Sequence, residues 1–380
     1  MPTRSRIHSF EDARRLARRR LPRLVFDFVE GAAGREIGAA RNEARFDEIL
    51  LKSRVLVDVN RRSLTTSILG NEFAVPFGIA PMGMCNLACP GADRFLAEAA
   101  REFDMPVCLS SAGSSALEDM QRWAGGRAWF QLYFGQSAEA SLARVDRAAA
   151  AGYKTLILTV DVPQISRRIR DIRNGFGLPF RMTARSFWDF ATHPGWSLRM
   201  LGAGVPAPRN FGASRSESGF DRCASRSTDW SFLRKLRERW QGVLIVKGVK
   251  SPEDAVPVQE IGADAIYVSN HGARQLDGDP PAIDLLPLIR KAVGPEYPLL
   301  FDSGVRNGED VVKALAMGAD FVMLGRPLLF ALGAEGKMGL NAMLECISED
   351  TSLTMAQLGI TEISGMGEHV LFGSATDGSG

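Results

Sequence analysis

The stretch AIYVSNHGARQLDG, Ala265 to Gly278, sets His271 and Arg274 directly after a short apolar run, and His271 is one of only four histidines in the chain. The tails of other apolar runs add Ser110, Gln131, Tyr133, Thr159, Asp161, Lys247, Ser269, Asp302, Arg306, Gly325 and Arg326. Any one of these could cap a core with its charged tip in water. Gathered in one place they must be mutually paired or serve a ligand, because uncompensated buried ions are costly. Two tails, DSGVRNG and LGRP, combine glycines that leave backbone N–H groups open with an arginine after the turn, which suits a phosphate. LGRP also reads as an ordinary helix start with proline in its first turn. A phosphate-bearing ligand or cofactor is expected from these segments.

Eight short β-branched or apolar runs could position such residues. They end at Met82, Ser111, Tyr133, Asp161, Gly248, Asn270, Gly304 and Arg326. Helical segments such as ADRFLAEAAREF, SAEASLARVDRAAAAG, SPEDAVPVQEIG and GEDVVKALAMG lie between them, the alternation of an α/β fold with a parallel sheet. Eight such units over roughly 250 residues predict a (β/α)8 TIM barrel, with site residues at the C-terminal strand ends. No GxGxxG follows the first run, so the dinucleotide fold lacks its signature. The expected organisation is an N-terminal helical segment over 1–75, a barrel over 76–360 with one long insertion over 162–228 after the fourth strand, and a C-terminal tail over 361–380.

Composition narrows the function classes. The chain has 380 residues, 45% of them hydrophobic, and 46 basic against 44 acidic side chains. This is the make-up of a folded protein, and the charge balance argues against a nucleic-acid surface. Cys85, Cys89, Cys108, Cys223 and Cys346 make an odd set without CxxC spacing, which favours neither a zinc site nor a disulfide framework. A reducing cytoplasm fits best, and no metal is expected. The N-terminus has no secretory core and no run reaches the length of a spanning helix, so membrane contact is expected to be peripheral at most, on the inner face of the cell membrane.

The segment SNHGARQLD, together with LTVD, FQLY, LVFDFVEGA, VKGV, DSGVRNGEDVVKALAMGA and LGRP, resembles the FMN-dependent L-2-hydroxy acid oxidising family, from about Phe10 to about Gly359. That family includes glycolate oxidase, L-lactate dehydrogenase and mandelate dehydrogenase. The resemblance implies FMN and a small 2-hydroxy acid substrate, with a homotetramer as the assembly. It implies His271 as the base, Asp161 as its orienting carboxylate, and Arg274 and Arg168 as the clamp on the substrate carboxylate. Tyr133 would hydrogen-bond the substrate, and Lys247 would lie at the flavin N1/O2 edge. Pro81, Met82, Gly83, Ser110, Gln131, Thr159 and Ser269 would bind the ring and ribityl parts; Asp302, Gly304, Arg306, Gly325 and Arg326 would bind the ribityl chain and phosphate.

Three positions depart from the glycolate oxidase pattern. Phe28 stands where relatives carry a tyrosine whose hydroxyl touches the substrate. Gly83 replaces an alanine and Ala112 a tryptophan, and both changes resemble mandelate dehydrogenase. A bulky or aromatic substrate is the expectation. Met82 takes the place of a common threonine. The insertion carries four arginines against one aspartate over 175–212, with Phe176, Phe180, Phe187, Trp188, Phe190, Trp196 and Phe211. Such a mixture suits a membrane interface, and equally a lid or an oligomer contact. Docking would favour a quinone as electron acceptor, and its absence oxygen. Two other readings compete: a non-redox isomerase or aldolase acting on a phosphorylated substrate with Lys247 as a Schiff-base amine, and a flavin-binding protein without catalysis.

Overall fold

Each expected run becomes a strand of one closed parallel barrel. The computed structural model describes residues 5–177, 182–210 and 228–373. A hairpin of β1 (Thr66–Ile68) and β2 (Asn71–Phe73) precedes the barrel strands. These are β3 (Phe77–Met82), β4 (Val107–Ser110), β5 (Ala128–Leu132), β6 (Thr155–Thr159), β7 (Val243–Val249), β8 (Ala265–Val268), β9 (Leu299–Phe301) and β10 (Phe321–Leu324). They close in the order β10-β3-β4-β5-β6-β7-β8-β9, as a TIM barrel requires.

The barrel is filled, not hollow. Trp129, Ile157, Ile245, Tyr267, Leu300, Phe321 and Met323 pack inside it with Ile68 and Phe73 of the hairpin. Phe73 meets Phe321 at 5.7 Å and Trp129 at 6.3 Å between ring centroids. Because β2 runs almost directly into β3, this plug closes the N-terminal end of the barrel and leaves the other end for a site. The leader was expected to be helical; its hairpin is an addition, made of strands too short for periodicity to reveal.

Three leader helices, α1 (Phe10–Arg20), α2 (Arg23–Glu30) and α3 (Ile37–Glu48), pack on the barrel's flank. Phe10 and Phe26 both meet Phe330 of the last helix, Arg326–Leu358, at 5.9 and 5.3 Å. The chain end returns to the leader, where Leu371 bridges Leu51 and the Phe372 N–H donates to the Leu50 carbonyl at 2.9 Å.

The insertion carries secondary structure of its own among its described residues. Its described part holds helices Ile169–Asn174, Ala184–Ala191 and Pro194–Ala203. Asp189 supplies the cap that α2 lacks: its two carboxylate oxygens accept from the N–H groups of Arg23 and Leu24 at 3.0 and 3.1 Å, satisfying donors that a helix start leaves open. Arg170 pairs with Glu36 at 2.6 Å and Asp27 at 3.2 Å, and Asn174 donates to Asp27 at 2.7 Å. At the far end Asn210 joins the insertion to β4's following loop through Leu117 N and the Ser115 carbonyl.

After β8 the backbone takes an uncommon course. His271, Gly272 and Ala273 have φ of 58°, 62° and 59°, three consecutive residues in the left-handed region that costs an L-residue about 1–2 kcal/mol each. Side chains hold the turn: Ser269 Oγ accepts from His271 N at 3.0 Å, Ser303 Oγ from Gly272 N at 3.0 Å, and Asn270 Oδ1 from Ala273 N at 3.2 Å. Asn270 is itself fixed by a reciprocal amide pair with Asn42 of α3, at 2.9 and 2.8 Å, both residues being buried. Replacing Asn42 by alanine would orphan a buried amide, so Asn42→Ala is expected to lose about 1–3 kcal/mol of stability, read as a lower urea midpoint, together with a larger loss of activity than of fold. Full activity in a destabilised Asn42→Ala would show that the turn does not depend on this pair.

Candidate active site

Strand register brings the expected polar residues into one ring at the open end. Ser110 stands beside Gln131, and Thr159 beside Lys247, as hydrogen-bonded strand neighbours. Ser110 Oγ donates to Gln131 Oε1 at 2.7 Å, and Gln131 Nε2 donates to Thr159 Oγ1 at 2.8 Å. The amide is thereby oriented without any ligand. Lys247 continues the ring: its ammonium donates to Ser269 Oγ at 2.7 Å and lies 3.3 Å from Asp302 Oδ2. The β7–β8 register slips between Lys247 and Val249, a local irregularity of the kind that redirects a side chain beside a site. Gly248, at φ 97°, fills the slip, and a Cβ there would lie 2.5 Å from the Asp161 carboxylate carbon. Only glycine lets that carboxylate come so close.

His271 faces Asp161. Its Nδ1 is 3.1 and 3.3 Å from the two carboxylate oxygens, while Nε2 points the other way, 3.4 Å from the Tyr133 hydroxyl. The Asp161 side chain is 1% exposed and that of His271 17%, so the imidazole alone of the pair reaches the cup. Burial pushes the imidazole below its ordinary 6.5, against the pull of Asp161; it is neutral at pH 7. Burial opposes charge on Asp161 too, but His271, Lys247 and Lys250 outweigh it and hold the carboxyl below its usual range. Burial, with Asp161 nearby, raises the Tyr133 phenol, which therefore keeps its proton.

Buried arginines crowd this end. Arg274 donates through Nη1 to the carbonyls of Phe28 and Gly31 and lies 5.4 Å above the Phe28 ring. Arg326 donates to the carbonyls of Val29, Gly31 and Gly272. Burial disfavours charge on Arg168, Arg274 and Arg326, the last pushed down to about 10, and Arg274 suffers further from its two arginine neighbours. The Nε atoms of Arg168 and Arg306 are buried without a hydrogen-bond partner. A concentration of cations with unspent donors is what an anion site offers.

Some expected contacts are already taken within the protein. The Asp302 carboxylate accepts from Tyr267, Ser269 and Ser303 besides approaching Lys247. Arg306 pairs with Glu43 at 2.6 Å and lies over the Phe10 ring at 5.0 Å, and a Cβ at Gly304 would abut the Asn42 carbonyl at 2.7 Å. These residues join the barrel to α1 and α3 as much as they face the cup. Pro81 and Met82 end β3, while Gly325 precedes the last helix with Met82 Sδ nearby. Gly83 and Ala112 face each other: a Cβ at 83 would sit 3.0 Å from that of Ala112. Phe28 stacks on Phe176 of the insertion at 4.6 Å.

Several contributors were not singled out from sequence: Asn42, Asn270, Tyr267, Ser303 and Phe176's pairing with Phe28. Asn270 lies within the SNHG segment and carried a signal; Asn42 and Glu43 reach the site from a helix more than 200 positions away. Among the described residues no group of three or more His, Cys, Asp or Glu could hold a metal.

On the outer face of the insertion Phe187, Trp188, Leu198, Leu201 and Val205 are exposed, Trp188 by 67% and Leu201 by 80%. Trp196 is not among them, since its indole donates to the Leu87 carbonyl at 2.8 Å and its ring packs on Phe190. Phe180, Phe211 and Cys223 lie outside the described residues. No described helix is long and apolar enough to cross a membrane.

Known proteins agree with this architecture. The chain is 38% identical over 367 residues to (S)-mandelate dehydrogenase of Pseudomonas putida, covering 95% of this chain and 92% of that one. It is 36% identical to an L-lactate dehydrogenase of Caulobacter vibrioides over 374 residues, 96% and 97% of the two chains. Among solved structures, that of a monotopic membrane protein, (S)-mandelate dehydrogenase, superposes with a TM-score of 0.93 at 38% identity over 97% of this chain and all of the other (100%). A mandelate oxidase structure follows at 0.80, 33% identity, 94% and 97% coverage. With residues 17–372 matching the family described as FMN-dependent dehydrogenase, the chain belongs to the FMN-dependent dehydrogenases.

Proposed function

We propose that this enzyme oxidises an (S)-2-hydroxy acid with a bulky or aromatic side chain to the 2-oxo acid, using FMN. The observation that carries the reading is the His271–Asp161 pair facing a cup of buried arginines. The residues fit FMN: the Ser110–Gln131–Thr159 ladder offers a polar edge, Lys247 a buried ammonium, and Arg306 an unspent donor for a phosphate. Bound FMN supplies the acceptor for the two electrons that leave the substrate. Relatives named for mandelate and lactate support the 2-hydroxy acid class, and no comparison favours an isomerase or aldolase.

In this reading Arg168 and Arg274 hold the carboxylate, Arg168 through the Nε that has no partner. His271 Nε2 takes the substrate proton, and Asp161, bonded to Nδ1, favours the imidazolium that results. Tyr133 donates to the substrate oxygen, its proton retained by burial. Lys247, a buried ammonium at the strand end, would lie against the N1/O2 edge of bound FMN and favour negative charge there. Phe28 offers no hydroxyl, so the carboxylate relies on the guanidinium groups.

The neutral imidazole sets a pH dependence. The base works deprotonated, so log kcat/KM is expected to rise with pH at slope one and level off above an apparent pKa below 6.5. Asp161→Asn removes the charge that favours imidazolium, which should shift this limb further to low pH and cut kcat by about a hundredfold or more. A limb that moves upward would contradict the pairing.

Small residues at 83 and 112 point to a broad substrate. We expect kcat/KM for (S)-mandelate to exceed that for glycolate by about tenfold or more, and Ala112→Trp, which would crowd Gly83, to reverse the order. Faster glycolate turnover in the parent enzyme would remove the bulky-substrate reading.

The exposed apolar residues of the insertion support a peripheral contact with the membrane and hence a quinone as electron acceptor, in keeping with the monotopic relative. A lid closed over the cup would turn Trp188 and Leu201 inward, whereas here they face solvent; a contact between subunits would also leave them exposed in a single chain, and vesicle recovery separates it from docking. Since Phe176 and Asp189 hold the leader in place, point changes test docking better than deletion. Phe187→Asp with Trp188→Asp should lower recovery on lipid vesicles at least about tenfold, given about 1.5–3 kcal/mol per buried aromatic, with dye-coupled turnover retained. Unchanged vesicle recovery, or oxygen consumed as fast as quinone is reduced, would rule this part out.

A further inference from the structure

Beneath the ring of polar strand ends lies a residue that the mechanism above does not use. Tyr267 of β8 is fully buried in the barrel interior. Its hydroxyl donates to Asp302 Oδ2 at 2.7 Å, the same oxygen that lies 3.3 Å from the Lys247 ammonium. Its ring face lies under that ammonium, 4.7 Å from Nζ to the centroid. The Lys247 side chain is 4% exposed, so water does little to screen it and its neighbours decide its field. Asp302 is the nearest counter-charge, and it also accepts from Ser269 and Ser303.

A carboxylate that spends its charge on Lys247 cancels the field that the ammonium sends toward the cup. A phenol hydrogen-bonded to the same oxygen draws charge away from that cancellation. The ring beneath keeps the ammonium seated without adding negative charge. Burial leaves the phenol firmly protonated, so it remains a donor throughout the working pH range.

We propose that Tyr267 is a positioning residue that sets, through Asp302, how much of the Lys247 charge reaches the flavin ring; this rests on Lys247 facing the N1/O2 edge, as read above. The reduced or adduct-bearing ring carries negative charge near N1, so its stability should follow the uncancelled part of the Lys247 field. The effect is distinct from catalysis by His271, because it acts on the ring whether or not substrate is present.

Sulfite provides the readout, since it donates its lone pair to flavin N5 and leaves the displaced electron pair as negative charge on the ring. In the FMN-loaded enzyme, Tyr267→Phe keeps the aromatic face and loses the donor. Its sulfite dissociation constant is expected to rise about tenfold, the scale of one charge-assisted hydrogen bond, and its midpoint potential against a reference dye to fall. Asp302→Asn should act in the opposite sense and tighten sulfite, and Tyr267→Phe added to Asp302→Asn should change the constant less than about twofold, because the group it acts through is gone. Loss of FMN in Tyr267→Phe that Asp302→Asn restores also supports the coupling, and loss that it does not restore counts against it. Unchanged sulfite affinity and potential in Tyr267→Phe, where Lys247→Met weakens sulfite, would overturn the inference and leave the Lys247 reading standing. If Lys247→Met is also without effect, both fall.

Discussion

The contact between the His271 imidazole and the Asp161 carboxylate depends on a backbone that L-residues avoid. The imidazole reaches Asp161 because three consecutive residues turn left-handed, and Asp161 reaches the imidazole because Gly248 offers no Cβ to block it. Each condition costs free energy on its own. The surrounding hydrogen bonds from Ser269, Ser303, Asn270 and Asn42 offset that cost and leave the turn one geometry. Strain of this kind persists only where neighbours over-determine it.

The same neighbours serve more than one purpose. Ser269 accepts from the His271 backbone and from Lys247 while donating to Asp302, so the His271 turn and the ammonium share one hydroxyl. Arg274 and Arg326 both donate to the Gly31 carbonyl at the end of α2, and α2 is capped at its other end by Asp189 of the insertion. The leader, the insertion and the barrel thus meet around the arginines. A displacement of the insertion base, where Phe176 stacks on Phe28 beneath Arg274, would be felt at Arg274 before it reached the barrel strands.

Charge accounts for the remaining character of the site. Arg168, Arg274, Arg326 and Lys247 are brought together with Asp161, Asp171 and Asp302 as nearby carboxylates, Asp171 facing Arg168 and Arg274, and burial works against each guanidinium. Cations gathered out of water in this way favour the binding of an anion among them. Folding stability and ligand affinity are therefore two faces of one electrostatic imbalance.

Much of this was legible in the chain itself. Short β-branched or apolar runs marked all eight barrel strands, because a strand buried on both faces must be apolar along its length, and the polar residues at the tails of most runs marked the open end. What sequence could not show was which polar groups satisfy one another. Asp302 and Arg306 read as ligand contacts and also bond within the protein, and Asn42 and Tyr267 looked like ordinary helix and strand residues. The insertion's aromatics looked equivalent in composition, but folding turns Trp196 inward and leaves Trp188 exposed. Local pattern determines burial and the direction of each strand, since those follow from period and polarity. Only the closed barrel decides partners, since hydrogen bonds and ion pairs form between residues that chain connectivity leaves far apart.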